Sequence, residues 1–327
     1  MGKIPFTRSQ RWFSTDMMWL LGAILLVLVL LASAFCYRVT FRSPNTAMND
    51  PYAIPPGEQY EKVADRMLKM ICDLEDIPYQ QVYIKAWDDT KLAARYYHFI
   101  DGAPIQLFFH GYRGNAVREF ACGYPLAKKL GYNALVIDQR AHGRSGGHVI
   151  TFGIKERHDC LDWCNYAADR FGRNAKLFLT GISMGAATVL MASDLELPGT
   201  VAGIIADCPY ASPGSIIRKI CRDIKLPCWC AYPVVALGAL LFGNFRIWES
   251  SAIRSVKKAR IPILLIHGRE DRFVPGDMSH RIYDACLGEK KIVYFPSAGH
   301  GLSYLTDPGR YERTVRDFLK GCDIPVK

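Results

Sequence analysis

Eight short runs rich in β-branched and aromatic residues, most of them separated by amphipathic stretches, constrain the fold of this chain more than any other feature. The runs are Gln81–Ala86, Leu92–Phe99, Ile105–Phe109, Ala134–Ile137, Lys176–Thr180, Val201–Ala206, Ile263–Ile266 and Ile292–Phe295. Asp88-Asp89 makes a turn between the first two. Helical stretches follow at about Ala116–Lys129, Lys155–Phe171, Met184–Ser193, Met278–Leu287 and Gly309–Leu319. Continuously apolar strands are buried on both faces, and alternation with helices places those helices on both sides of the sheet. The pattern predicts a mostly parallel, doubly wound α/β sheet. An amphipathic helix with Tyr60, Val63, Ala64, Met67, Met70, Ile71 and Leu74 on one face leads into it.

Two segments fall outside this alternation. The first, Met17 to Tyr37, has 21 residues without a charge, which as a helix spans about 30 Å, the thickness of a bilayer core. Lys3, Arg8 and Arg11 precede it, and Arg38 and Arg42 follow. This reads as a single-pass transmembrane helix in the cell membrane, with the N-terminus cytoplasmic and the main domain extracytoplasmic. The rival reading takes Ala32-Ser33-Ala34 as a signal-peptide cleavage site that would release a secreted domain. A linker rich in Pro, Asn and Asp runs from Arg42 to Gly57. The second segment, Leu226 to Phe245, is also charge-free but is interrupted by Pro227, Pro233 and Gly238. Were it to span a membrane, the strands on either side could not share a sheet, so it reads as a helical, hydrophobic lid inserted over the sheet, with extra core as the blander alternative. The expected organisation is an anchor with flanks (1–45), a linker and leading helix (46–80), two parts of one α/β domain (81–209 and 261–327) and the lid between them (210–260).

The net charge, 41 minus 31 or +10, raises the question of nucleic acid. The basic residues are scattered and form no block interleaved with aromatics, so no nucleic-acid partner is expected. Eleven cysteines give no disulfide framework and no zinc-finger spacing, so most read as core residues and no metal site is expected.

Gly181-Ile182-Ser183-Met184-Gly185 fits G-x-S-x-G between an apolar strand and a helical run. At such a junction a serine sits on a strained turn, its oxygen stands clear of the sheet, and the helix N-terminus supplies positive potential. A serine needs a base oriented by a carboxylate. His300, in the loop Ser297–Gly301 after the last strand, is the candidate base. Asp271, in His267-Gly-x-x-Asp-x-x-Val-Pro, is the candidate acid, with Glu270 and Asp207 as rivals; Asp207 and Asp138 read as loop braces. The oxyanion donors would be the backbone N–H groups of Met184 and of Tyr112, the latter in Phe108-Phe-His-Gly-Tyr-Arg-Gly-Asn115. His110 and Gly111 would shape that loop.

His110-Gly111, Asp138-Gln-Arg-Ala-His-Gly-Arg-Ser145, the Ser183 elbow, His267-Gly268 with Asp271, and Gly299-His300 together resemble the α/β-hydrolase superfamily, from about Gln81 to Leu319. Within it the chain is similar to bacterial membrane-anchored, serine-aminopeptidase-like hydrolases. The resemblance implies the α/β-hydrolase fold, a Ser-His-Asp triad and no cofactor. The expected activity is hydrolysis of a carboxylic ester in a small-molecule or lipid-like acyl substrate. A serine peptidase or thioesterase is the alternative within the class, and a catalytically silent binding protein is the alternative outside it.

Overall fold

The computed structural model describes residues 15–43, 50–172 and 174–327. Lys3, Arg8 and Arg11 and the middle of the expected linker (44–49) lie outside them. The strands are β1 (Gln80–Lys85), β2 (Lys91–Tyr97), β3 (Ile105–Phe109), β4 (Asn133–Asp138), β5 (Leu177–Ile182), β6 (Val201–Asp207), β7 (Ile263–Gly268) and β8 (Lys290–Phe295). They form one sheet in the order β1-β2-β4-β3-β5-β6-β7-β8. The first two ladders are antiparallel and the rest parallel.

In chain order the helices are α1 (Thr15–Thr40), α2 (Glu58–Glu61), α3 (Ala64–Glu75), α4 (Ala116–Ala121), α5 (Tyr124–Leu130), α6 (Glu156–Phe171) and α7 (Met184–Ala192). They continue as α8 (Pro213–Asp223), α9 (Cys228–Gly243), α10 (Ala252–Ser255), α11 (Gly276–Ala285), α12 (Ser303–Thr306) and α13 (Pro308–Gly321). One apolar core holds Trp163 of α6, the apolar side chains of α7 and Ile216 of α8 against one sheet face. A second core holds Ile71 of α3, Phe120 of α4 and Val315 of α13 against the other. This is the two-sided burial that the apolar strands require.

Three elements depart from the periodicity. The stretch expected as one helix over Ala116–Lys129 divides into α4 and α5 at Cys122-Gly123, with a proline in the first turn of α5, where its missing N–H is harmless. The leading helix divides into α2 and α3, although Met67, Met70, Ile71 and Leu74 form its buried face as expected. Helix α9 runs through both Pro233 and Gly238 instead of breaking there.

Helix α1 is long and apolar enough to cross a membrane, and most of its surface is uncovered. Its last turns are not a loose tether. Phe41 is fully buried, edge-on to Phe152 and Phe245 at 5.7 and 5.1 Å, and Arg42 bridges to Val149. All eleven cysteines are free; Cys160, Cys164, Cys208, Cys221, Cys286 and Cys322 are buried.

Candidate active site

The turn between β5 and α7 carries Ser183 at φ 55°, ψ −111°. A side chain in this left-handed region is strained, and it persists only where the surroundings over-determine it. The two flanking glycines are that constraint. A methyl on Gly181 would collide with the backbone of Gly185 and Ala186, and one on Gly185 with the carbonyls of Phe109 and His110. Ser183 N–H donates to the carbonyl of Asp207 at 2.9 Å, tying the turn to the end of β6.

Ser183 Oγ lies 2.9 Å from His300 Nε2, and His300 Nδ1 lies 2.7 Å from Asp271 Oδ2. Three side chains from three separate loops therefore form one hydrogen-bonded chain at the carboxyl edge of the sheet. The carboxylate end is fixed by its neighbours, for Asp271 Oδ1 accepts from the amides of Phe273 at 2.9 Å and Val274 at 2.8 Å. His267 Nε2 stands 3.4 Å from Oδ2. Burial works against an ionised Asp271, but the hydrogen bonds from His267 and His300 and the Val274 amide outweigh it, and its pKa falls below the usual carboxylate range.

The rivals occupy other surroundings. Glu270 is exposed. Asp207 is buried beneath the site, accepts from Ser303 Oγ at 3.2 Å, and is pushed up to about 6 by that burial. Asp138 braces its own loop, accepting from the Arg144 amide at 3.0 Å.

The loop after β3 lies against Ser183. Among the described residues the amides of Gly111, Arg113 and Gly114 have acceptors: Glu119 Oε2 at 2.7 Å, His142 Nε2 at 3.1 Å and the Gly111 carbonyl at 3.1 Å. The amides of Tyr112 and of Met184, which opens α7, have none there. Two histidines hold the loop in shape. His110 Nδ1–H donates to the Gly111 carbonyl at 2.8 Å and its Nε2 accepts from the Gln139 amide at 3.1 Å. His142 donates from Nδ1 to the Arg140 carbonyl at 2.8 Å, leaving Nε2 for Arg113. Burial lowers both imidazoles, His142 to about 4, so each stays neutral in one tautomer.

Three supports were not legible in the sequence. Glu119 receives the Gly111 amide from one turn into α4. Gln59 and Tyr60 of α2 grip the histidine loop, with Gln59 Oε1 accepting from His300 N at 3.2 Å and Tyr60 Oη donating to the His300 carbonyl at 3.0 Å. The oxyanion-loop candidates also reach α1, where Tyr112 Oη donates to the Thr40 carbonyl at 2.7 Å and Arg113 donates to the Val39 carbonyl at 2.6 Å. The only local signal for any of these was a polar residue near the start of an element.

A cavity of about 560 Å³ opens beside Ser183 and His300 and runs along the sheet face that carries α4 and α13, between walls that include Phe108, Phe178, Ile205 and Val315. Its lining includes Gln106 and Thr180, whose buried side-chain oxygens have no protein partner among the described residues. Ala53 to Pro56, with Gln59 and Tyr60, cover it; among the described residues none from the insert (210–260) lines it. Cys208, Asp271 and His300 come close enough together to hold an ion. Those donors do not suit a metal, since His300 and Asp271 are engaged with each other and burial keeps the Cys208 thiol protonated.

A family model described as serine aminopeptidase, S33, matches residues 104–230. The Bacillus subtilis protein YqkD is 29% identical over 191 residues, 58% of this chain and 63% of its own length, so the chain spans somewhat under two thirds of that relative. The Saccharomyces cerevisiae membrane protein YNL320W is 25% identical over 76% of this chain and 81% of its own. Among solved structures, the Pyrococcus furiosus esterase Pf2001 superposes with a TM-score of 0.61 at 25% identity, covering 76% of this chain and 94% of the esterase. The eight-stranded, mostly parallel sheet and these likenesses agree: the chain has the α/β-hydrolase fold and is similar to the serine-aminopeptidase-like hydrolases.

Proposed function

We propose that the protein is a membrane-anchored serine hydrolase that cleaves a carboxylic ester of a lipid-like or acylated substrate. The observation that carries this reading is the Ser183–His300–Asp271 chain, with contacts of 2.9 and 2.7 Å, opening on a largely apolar cavity. In the proposed reaction Ser183 Oγ attacks the acyl carbonyl while His300 Nε2 takes its proton. Asp271 holds the Nδ1–H tautomer and stabilises the imidazolium. The unengaged amides of Tyr112 and Met184 bind the tetrahedral oxyanion. His300 then returns the proton to the departing alcohol, and water releases the acyl group from Ser183 by the same steps.

The ester preference is supported by the apolar character of the cavity and by likeness to an esterase. An aminopeptidase would hold the substrate's α-amine on a carboxylate, and besides Asp207 the cavity is lined by Glu119. However, its Oε2 is taken by the Gly111 amide and burial raises its pKa, which suits a brace better than an amine receptor.

Helix α1 is proposed to be retained as the anchor, with the domain on the extracytoplasmic side. Ser33, centre of the small-residue trio that resembles a cleavage site, is fully buried against α9, so cutting there would sever a packed helix.

A panel of acyl esters of graded chain length, acyl thioesters and aminoacyl amides, offered to the full-length protein and to His300→Ala, tests the reading. Ester turnover that falls by about a thousandfold or more in the variant supports it. Turnover confined to the amides moves the assignment to peptidase, and no turnover of any member by wild type favours a silent binding protein.

A further inference from the structure

The insert read from the sequence as a lid over the sheet contributes, among the described residues, nothing to the lining of the cavity beside Ser183. Helices α8 and α9 fold back on each other, with Arg218 stacked 3.6 Å above the ring centre of Tyr232, and α9 packs along α1. The two helices meet through small residues. Gly238 sits so close to Ser33 that a methyl there would collide with the Ser33 carbonyl, and four residues further on in each helix Phe242 meets Tyr37 at 5.9 Å. Close backbone approach through glycine and serine is the way helices associate where no hydrophobic effect drives them together. Equal steps along both chains mean that α1 and α9 run in the same direction at this contact.

The covered stripe of α1 includes Val29, Ser33, Cys36 and Tyr37. These are the last turns of the apolar run Met17–Tyr37, and that run needs its whole length to cross about 30 Å of hydrocarbon. Whatever packs on those turns shares their depth. The opposite side of α9 is uncovered, with Trp229, Pro233, Leu240 and Leu241 exposed on one helical face, and Ile224 and Leu226 exposed at the turn before it. Arg38 and Arg246, exposed just past or within the last turn of each helix at the domain-side end, suit anionic headgroups. An apolar face of this extent on a helix that covers no substrate cavity calls for a partner.

We infer that α9 is a second membrane element, lying in the domain-side leaflet beside α1 and offering its outer face to lipid acyl chains. The inference rests on the proposed anchor and adds to it. Arg113 lines the active-site cavity and also bonds the Val39 carbonyl in the last turn of α1 and the Arg42 carbonyl just after it, so a domain held down by both helices opens its cavity at the headgroup level, where a lipid-like ester resides.

Photo-crosslinking of the full-length protein in phosphatidylcholine vesicles containing one fifth phosphatidylglycerol tests this. The benzophenone amino acid p-benzoylphenylalanine replaces Leu241 on α9, Leu28 on α1 or Tyr83 on β1, all exposed positions, and acyl-chain adducts are identified by mass spectrometry. Adducts from positions 28 and 241 with none from 83 are expected. Adducts from 28 but not 241 would overturn the inference and leave the anchor standing. Adducts from neither would remove the anchor itself. A crosslink from 241 to another copy of the chain would make the face a protein interface instead.

Discussion

Asp271 and Asp207 lie at or just beyond the ends of adjacent strands, and replacing each by asparagine tests which of them is the acid of the proposed triad. In Asp271→Asn the new amide has no acceptable orientation. Oδ1 accepts two backbone N–H groups, and Oδ2 faces His300 Nδ1 and His267 Nε2. Either the amide nitrogen points at those amides, donor against donor, or it donates to His300 and imposes the tautomer that cannot take the serine proton. The expected loss in kcat is about ten-thousandfold, or about 5.5 kcal/mol of transition-state stabilisation. Asp207→Asn keeps an acceptor for Ser303 and removes a buried charge. Burial raises Asp207 from an ordinary 3.8 to about 6. A raised acid binds its proton more tightly when folded, so its ionisation penalty is absent below about pH 4 and complete above about pH 6. Two pKa units correspond to about 3 kcal/mol, so Asp207→Asn should unfold at a higher temperature than wild type at pH 8, match it at pH 4, and retain turnover within a few fold. Ester hydrolysis and thermal unfolding of the full-length proteins in detergent read both effects. Turnover abolished by Asp207→Asn and spared by Asp271→Asn would refute the assignment of the acid.

Two further predictions concern the loop that faces Ser183. Glu119→Ala leaves the Gly111 amide without its acceptor, at about 1–3 kcal/mol, so kcat should fall by about tenfold or more with little change in KM, while Glu119→Gln, which keeps an acceptor, should restore most of it. Arg113→Ala removes the ties to the Val39 and Arg42 carbonyls and should lower kcat several-fold for ester substrates; unchanged kinetics would show that the end of α1 does not steady the loop.

The sheet was legible because its signal is local and repeated. Each of the eight apolar runs became a strand, displaced by no more than three residues at either end. The local geometry of the candidate residues was legible from their neighbours: two glycines at the Ser183 turn whose absent side chains make room, and an aspartate held by the turn at Val274. What stayed hidden depends on contacts between distant segments. Nothing near Glu119 in sequence reveals that its carboxylate meets Gly111, and nothing near Gln59 reveals His300. Helix α9 is instructive in the same way. Pro233 and Gly238 read as breaks on local grounds, yet the helix continues through both, and Gly238 is a point of close approach to α1. Ser33, centre of the Ala32-Ser33-Ala34 trio whose rival reading was a cleavage signal, is the small residue that Gly238 of α9 meets.

The most direct test of the account is to identify the atom that reacts. Full-length protein in detergent, treated with a fluorophosphonate and digested, should carry a single phosphonyl group on the peptide containing Ser183, absent in Ser183→Ala and formed far more slowly in His300→Ala. A phosphonyl group on any other residue, or undiminished labelling of Ser183→Ala, would contradict it.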